Sequence, residues 1–188
     1  MGDTRYITMT LKEQATQNLI DMKTILDELE ITFWLDGGTL LGAYRDKDFC
    51  DSDEDDTDLC TWDNYLGFKS DIINRCVKMG FVLLHDWELE FCVGRGGARI
   101  DLFFNRRNGK EAYTHIYAGD SIHKFVVIPV RFYERLEPIK FKGKEFLAPF
   151  PVEDYLTLKY GDWRTPIHRS KYRCDNQQQN KVIRDSYV

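Results

Sequence analysis

No CxxC pair occurs in the chain, and its five cysteines (Cys50, Cys60, Cys76, Cys92 and Cys174) are odd in number and widely spaced. This excludes a zinc knuckle and a secreted disulfide framework; reduced, partly buried thiols in a cytoplasmic protein are the expectation. Histidine is equally sparse. His85, His115, His123 and His168 form no HxH or HxxxH pair, so zinc is not expected and these side chains read as surface or core residues. No apolar run is long enough to cross a bilayer, no signal peptide is legible, and MGDTRY lacks the Ser or Thr that a myristoylation signal needs at its sixth position. An excess of positive charge is missing too: the formal charge of −5 removes a basic face as a basis for nucleic-acid binding. Apolar material is not lacking. With 43% hydrophobic and 14% aromatic residues the chain is not mainly disordered, and 188 residues suffice for a buried core. No repeat or second domain is apparent, so residues 1–166 read as one domain and 167–188 as a polar tail in which CDNQQQN looks mobile.

What is abundant is local negative charge. Asp46, Asp48, Asp51, Asp53, Glu54, Asp55, Asp56 and Asp58 are opposed only by Lys47. Such a run is self-repelling unless it is solvated or holds cations. A calcium loop of EF-hand type fits Asp51, Asp53 and Asp55 as its first three ligands. It fails at the sixth position, where Asp56 replaces the turn glycine, and at the twelfth, where Trp62 replaces the bidentate glutamate. The surviving readings are a solvated loop and a catalytic metal site.

The elements around this run can be read in order. Thr10 to about Glu30 is an amphipathic helix with Leu11, Ala15, Leu19, Met22, Ile25, Leu26 and Leu29 on one face, opened by a capping box of Thr10 and Glu13. Ile31–Leu35 reads as a buried strand, followed by a Gly-Gly-Thr turn, a small-residue helix ending near Arg45, the acidic loop, and a strand in DDTDLCTW. A second helix is expected over Asp63–Met79, with Gly80 as its C-terminal glycine. FVLLHDW, ELEFCVG and ARIDLFF read as strands with GRGG as a turn; HKFVVIPV adds another, and PIKF with EFLAPF a hairpin around Gly143. A last helix runs from Pro151 to Tyr160 and stops at Gly161. The whole is an α/β or α+β domain with a mixed sheet flanked by helices.

Three features carry chemistry. Asp56 and Asp58 stand two apart on a strand and therefore project to one face, where they can hold one hard divalent cation or bridge two. Asp101 sits in an apolar strand between Ile100 and Leu102, which calls for a cation or hydrogen-bond partner unless the residue lies at an edge facing water. Gly37 and Gly38 either make a tight turn or let backbone amides face a phosphate, with Thr39 adding a hydroxyl. Arg45 is placed to pair with a phosphate or with the acidic loop. Trp34, Trp62, Trp87 and Trp163 read as core, with Trp62 or Trp163 as candidate walls of a nucleotide pocket.

FWLDGGTLLGAYRDKDF…DDTDL, then ARIDLFF, then FPVEDYLTLKYGDWRTP resembles the LicD/fukutin family of the nucleotidyltransferase superfamily, in the same order from about Ile31 to Pro166. The resemblance implies a nucleotidyltransferase-like mixed sheet with Asp56, Asp58 and Asp101 as metal-binding, catalytic residues for Mg²⁺ or Mn²⁺. It implies transfer of a phospho-alcohol, such as phosphocholine or ribitol phosphate, from a CDP-activated donor to a glycan. Gly37, Gly38, Thr39 and Arg45 would then contact the donor phosphates, and Tyr160–Trp163 would line the cleft or only cap the last helix. CDSDE stands one residue longer than the family pattern before the aspartates, so Asp53 with Asp55 is the alternative metal pair. A nucleotidyltransferase using an NTP, and a non-catalytic cation- or nucleotide-binding module, are the competing readings.

Overall fold

The computed structural model describes residues 9–51, 53–118, 121–166 and 182–186. The expectations for CDNQQQN, Cys174 and His168 lie outside these residues.

Helix α1 (Leu11–Glu28) begins at Thr10, whose hydroxyl accepts from Glu13 N–H while the Glu13 carboxylate accepts from Thr10 N–H, completing the capping box. Its apolar stripe, Ala15, Leu19, Met22, Ile25 and Leu26, is buried against the back of the sheet. Asn18 in that stripe is buried as well. It spends its amide N–H groups on the carbonyls of Arg95 and Ala98, so a polar core group also fixes where the helix sits over the sheet.

Strand β1 (Phe33–Leu35) leads into α2 (Gly37–Leu41), which continues as a π-helical turn over Gly42–Asp46 and stops at Lys47 in the left-handed region. Strand β2 (Asp56–Trp62) follows, then a 3₁₀ turn over Asp63–Phe68 and α3 (Lys69–Lys78). The helix expected over Asp63–Met79 is thus shorter. Its first turns are 3₁₀; within α3, Ile72 and Cys76 are buried and Val77 is exposed. Strands β3 (Val82–Trp87), β4 (Glu90–Arg95) and β5 (Ala98–Asn108) match the three strand segments read from the sequence. Strand β6 (Glu111–Ala118) was not anticipated; its partner β7 (Ser121–Pro129) was, as was the β8 (Leu136–Phe141) and β9 (Lys144–Pro149) hairpin. Helix α4 (Val152–Tyr160) starts after Pro151 and ends at Gly161, and β10 (Ile183–Arg184), from within the segment read as tail, pairs with β7.

The main sheet has eight strands, with the path β1-β2-β5-β6-β7-β10 and with β4 joining β5 and β3. It is mostly antiparallel, and the β2–β5 pair is parallel. That pair positions the site. On its inner face Thr57, Leu59, Thr61, Ile100, Leu102 and Phe104 are all fully buried. By alternation, Asp56, Asp58, Cys60, Arg99, Asp101 and Phe103 occupy the opposite face, and all of them line one cleft.

Candidate active site

The parallel register sets Asp56 beside Arg99 and Asp58 beside Asp101. Each of Asp56, Asp58 and Asp101 offers a carboxylate oxygen within 4.8 Å of the other two. Two of those residues have an oxygen with no hydrogen-bond partner: Asp56 Oδ1 and Asp101 Oδ1 are buried and orphaned. Buried carboxylate oxygens without donors are costly unless a cation completes them. Three of the remaining oxygens have neighbours that hold them. Arg99 Nη2 donates to Asp56 Oδ2 at 2.5 Å and its Nε lies 3.8 Å from Asp101 Oδ2, while Asp58 Oδ2 accepts from Gly38 N–H at 2.9 Å. The donor set is hard oxygen, which suits Mg²⁺ or Mn²⁺.

The glycine turn is folded onto this cluster. Gly37 has φ +53°, and a Cβ there would lie 1.9 Å from Asp58 Oδ2; one on Gly38 would lie 2.2 Å from Asp53 Oδ2. Gly37 N–H donates to Asp36 Oδ1, and Thr39 Oγ1 accepts from Asp58 N–H. The amides and hydroxyl expected to face a phosphate therefore hold carboxylate side chains and strand backbone here. Arg45 makes a two-pronged contact with Asp46 and donates to the Trp163 carbonyl at 3.0 Å, tying the acidic loop to the Tyr160–Trp163 segment. Asp53 lines the cleft, in the turn that precedes β2.

Several functional residues had little signal in the sequence. Asp36 caps α2 and also accepts from Tyr155 Oη at 2.6 Å and Lys159 Nζ at 2.7 Å, both on α4, and from the Cys60 thiol. Glu90 on β4 is buried and bonded to His85 at 2.8 Å, and His85, Cys92 and Asp101 bring one ligand atom each within 4.8 Å of one another. Of these, Asp36, Cys60, Glu90, Asp101 and Lys159 line a cleft of about 1360 Å³ that also includes Trp87, Tyr117, Tyr160 and Trp163. Trp163 is nearly buried and Trp34 is fully in the core, whereas Trp62 lies outside this cleft.

The electrostatics follow from burial. Burial, and then the charge of Asp56, hold the Asp58 carboxyl well above the usual carboxylate range. Burial likewise lifts Asp101 to about 7 against the Cys92 thiol, with Asp56 adding to the rise. Burial, with Asp101 and Asp56, lifts Glu90 to about 8. Asp36 behaves oppositely: burial would raise it, and Lys159 beside it brings it below its ordinary value.

A carboxyl with a raised folded-state pKa keeps its proton where the unfolded chain has lost it. Its stabilising contribution is therefore full below the unfolded value near 4 and is lost as pH rises through the folded one. Without metal, the Tm difference between Asp101→Asn and wild type should grow in the variant's favour from about pH 4 to about pH 8. Mn²⁺ held by the cluster would take the place of the lost protons, so the Tm increase it gives wild type is expected to grow over the same window. Thermal melts with EDTA or Mn²⁺ across that range check this, and a Mn²⁺ effect independent of pH would contradict it.

Comparison with known proteins agrees with this architecture. The profile of the LicD/FKTN/FKRP nucleotidyltransferase domain matches residues 30–150, more than half the chain. The ribitol-5-phosphate transferase FKTN of Macaca fascicularis is 25% identical over 175 residues, which cover 89% of this chain and 37% of that protein. An uncharacterised protein of Rickettsia typhi is 24% identical over 151 residues, or 78% of this chain and 45% of the other. The chain thus spans less than half the length of these curated relatives. Among solved structures, the antibiotic-resistance factor ANT(2'')-Ia superposes with a TM-score of 0.51, at 14% identity, over 87% of this chain and 77% of that one. The fold is nucleotidyltransferase-like. Among the described residues no helix is long and apolar enough to cross a membrane.

Proposed function

From the premise that this chain belongs to the LicD/FKTN/FKRP nucleotidyltransferase-domain family, we propose that it is a metal-dependent phosphotransferase. It moves a phospho-alcohol, such as ribitol phosphate or phosphocholine, from a CDP-activated donor to a glycan hydroxyl. One observation carries the reading: Asp56, Asp58 and Asp101 converge, and two of their oxygens are buried without a donor.

Asp56, Asp58 and Asp101 would hold Mg²⁺ or Mn²⁺, which when bound supplies neutralisation of the donor diphosphate. Arg99 holds the outer oxygens of Asp56 and Asp101 from the solvent side, leaving the orphaned Oδ1 atoms for the ion. Gly38 N–H and Thr39 fix Asp58 from the other side. Asp101 accepts the proton of the attacking hydroxyl. Gly37, Gly38 and Arg45 line the donor side of the cleft, with Thr39 behind them holding the Asp58 backbone and Arg45 exchanging its Asp46 contact for a phosphate oxygen.

Incubation with Mn²⁺ and CDP-ribitol, CDP-glycerol or CDP-choline tests this, with the released nucleotide identified. CMP is the expected product. Pyrophosphate from CTP would instead assign a nucleotidyltransferase, and thermal stabilisation by Ca²⁺ alone, with no nucleotide effect, a non-catalytic binding module.

A further inference from the structure

Among the described residues four lysine and arginine side chains line the cleft, and three of them are ion-paired to carboxylates of the acidic loop or of β2. Lys12 holds Asp48, Asp51 and Glu54 of the acidic loop, Arg45 holds Asp46, and Arg99 holds Asp56. The fourth, Lys159, differs. It projects from α4 and its side chain is only 14% exposed, yet it lines the cleft. Its ammonium has three N–H bonds, and among the described residues only one is used, toward Asp36 Oδ1 at 2.7 Å.

Its partner does not need it alone. Asp36 also accepts from Gly37 N–H, from Tyr155 Oη and from the Cys60 thiol, so it keeps three donors if the lysine turns away. Asp36 and Lys159 line the same cleft as Asp58, and the charges of Lys159 and Asp58 act on one another. A buried ammonium with unspent donors, close to a cluster of metal-suited carboxylates, is a site for the oxyanions of a phosphate that such a metal also holds.

We propose that Lys159 binds a phosphate group of the nucleotide donor, as a point charge on the α4 side of the cleft. This rests on the phosphotransferase reading above, and the experiment separates the two. The Mn²⁺-loaded protein is titrated calorimetrically with CDP and, separately, with inorganic pyrophosphate, as wild type, Lys159→Met and the double variant Asp36→Asn/Lys159→Met. The double variant removes both charges of the buried pair, so it stays folded where the single one leaves Asp36 without its cation. Loss of one charge-assisted hydrogen bond should weaken both ligands by about 10- to 100-fold in both variants, while Mn²⁺ affinity without nucleotide stays near wild type. Wild-type binding of both ligands with no weakening in either folded variant overturns the role of Lys159 and leaves the donor reading intact. Lysine-dependent binding of pyrophosphate without any binding of CDP upholds Lys159 and overturns the cytidine donor. Binding of neither ligand overturns both.

Discussion

Asp58→Asn is expected to abolish turnover while leaving the protein at least as stable as wild type without metal. Asp58 is a carboxylate that burial and the neighbouring Asp56 charge both oppose, so neutralising it relieves an unfavourable term. The amide oxygen of asparagine can still accept from Gly38 N–H, and the backbone of residue 58 keeps its bond to Thr39. Fold and stability are therefore spared. In the proposed reaction activity is not, because an amide is a poor ligand for a hard cation and the donor diphosphate would lose its neutralising charge. A loss of about a thousandfold in kcat fits the removal of a principal electrostatic stabiliser. CMP release and Tm, measured together, check the pair of outcomes. A variant that kept near-wild-type, metal-dependent turnover would move the metal pair to Asp53 and Asp55.

Gly37→Ala should have the other large effect, this time through space rather than charge. The residue has φ +53°, and the new Cβ would sit 1.9 Å from Asp58 Oδ2. Either the turn or Asp58 must move. Gly109 provides the internal control, since its φ is +58° but nothing lies within 4 Å of a Cβ placed there. Both substitutions carry the backbone penalty of a left-handed position, about 1 kcal/mol. Only Gly37→Ala should add the steric cost, for a total of about 2–4 kcal/mol, and only it should abolish Mn²⁺ binding. Denaturant melts and Mn²⁺ titration of the two variants decide this. Equal destabilisation, with Mn²⁺ binding intact in both, would show that the turn is not fitted to the aspartate.

The carboxylate cluster was legible because strand alternation is a local rule. Asp56 and Asp58 had to share a face, and an aspartate between Ile100 and Leu102 called for a partner unless it lay at an edge facing water. Which residues of β5 lie beside β2 was not legible, since register between strands some forty residues apart is set by packing across the sheet. The Asp36 hub was missed for the same reason. Its partners Tyr155 and Lys159 come from a helix more than a hundred residues away, and the only local signals were a carboxylate closing an apolar strand and a lysine within an otherwise apolar helix end. Strand β6 (EAYTHIYA) shows no polar–apolar alternation, because Ala112, Tyr113, Thr114 and His115 are buried in succession and both faces of the strand are covered. The 3₁₀ start of the second helix reflects Gly67, a weak helix former that interrupts the first turns.

One ion shared by three side chains underlies the proposed chemistry. Anomalous diffraction from crystals of the wild-type protein soaked in Mn²⁺ tests it directly. A single strong peak within bonding distance of the carboxylates of Asp56, Asp58 and Asp101 is the predicted result; Mn²⁺ held instead by Asp51, Asp53 or Asp55, with those three carboxylates bare, would contradict it.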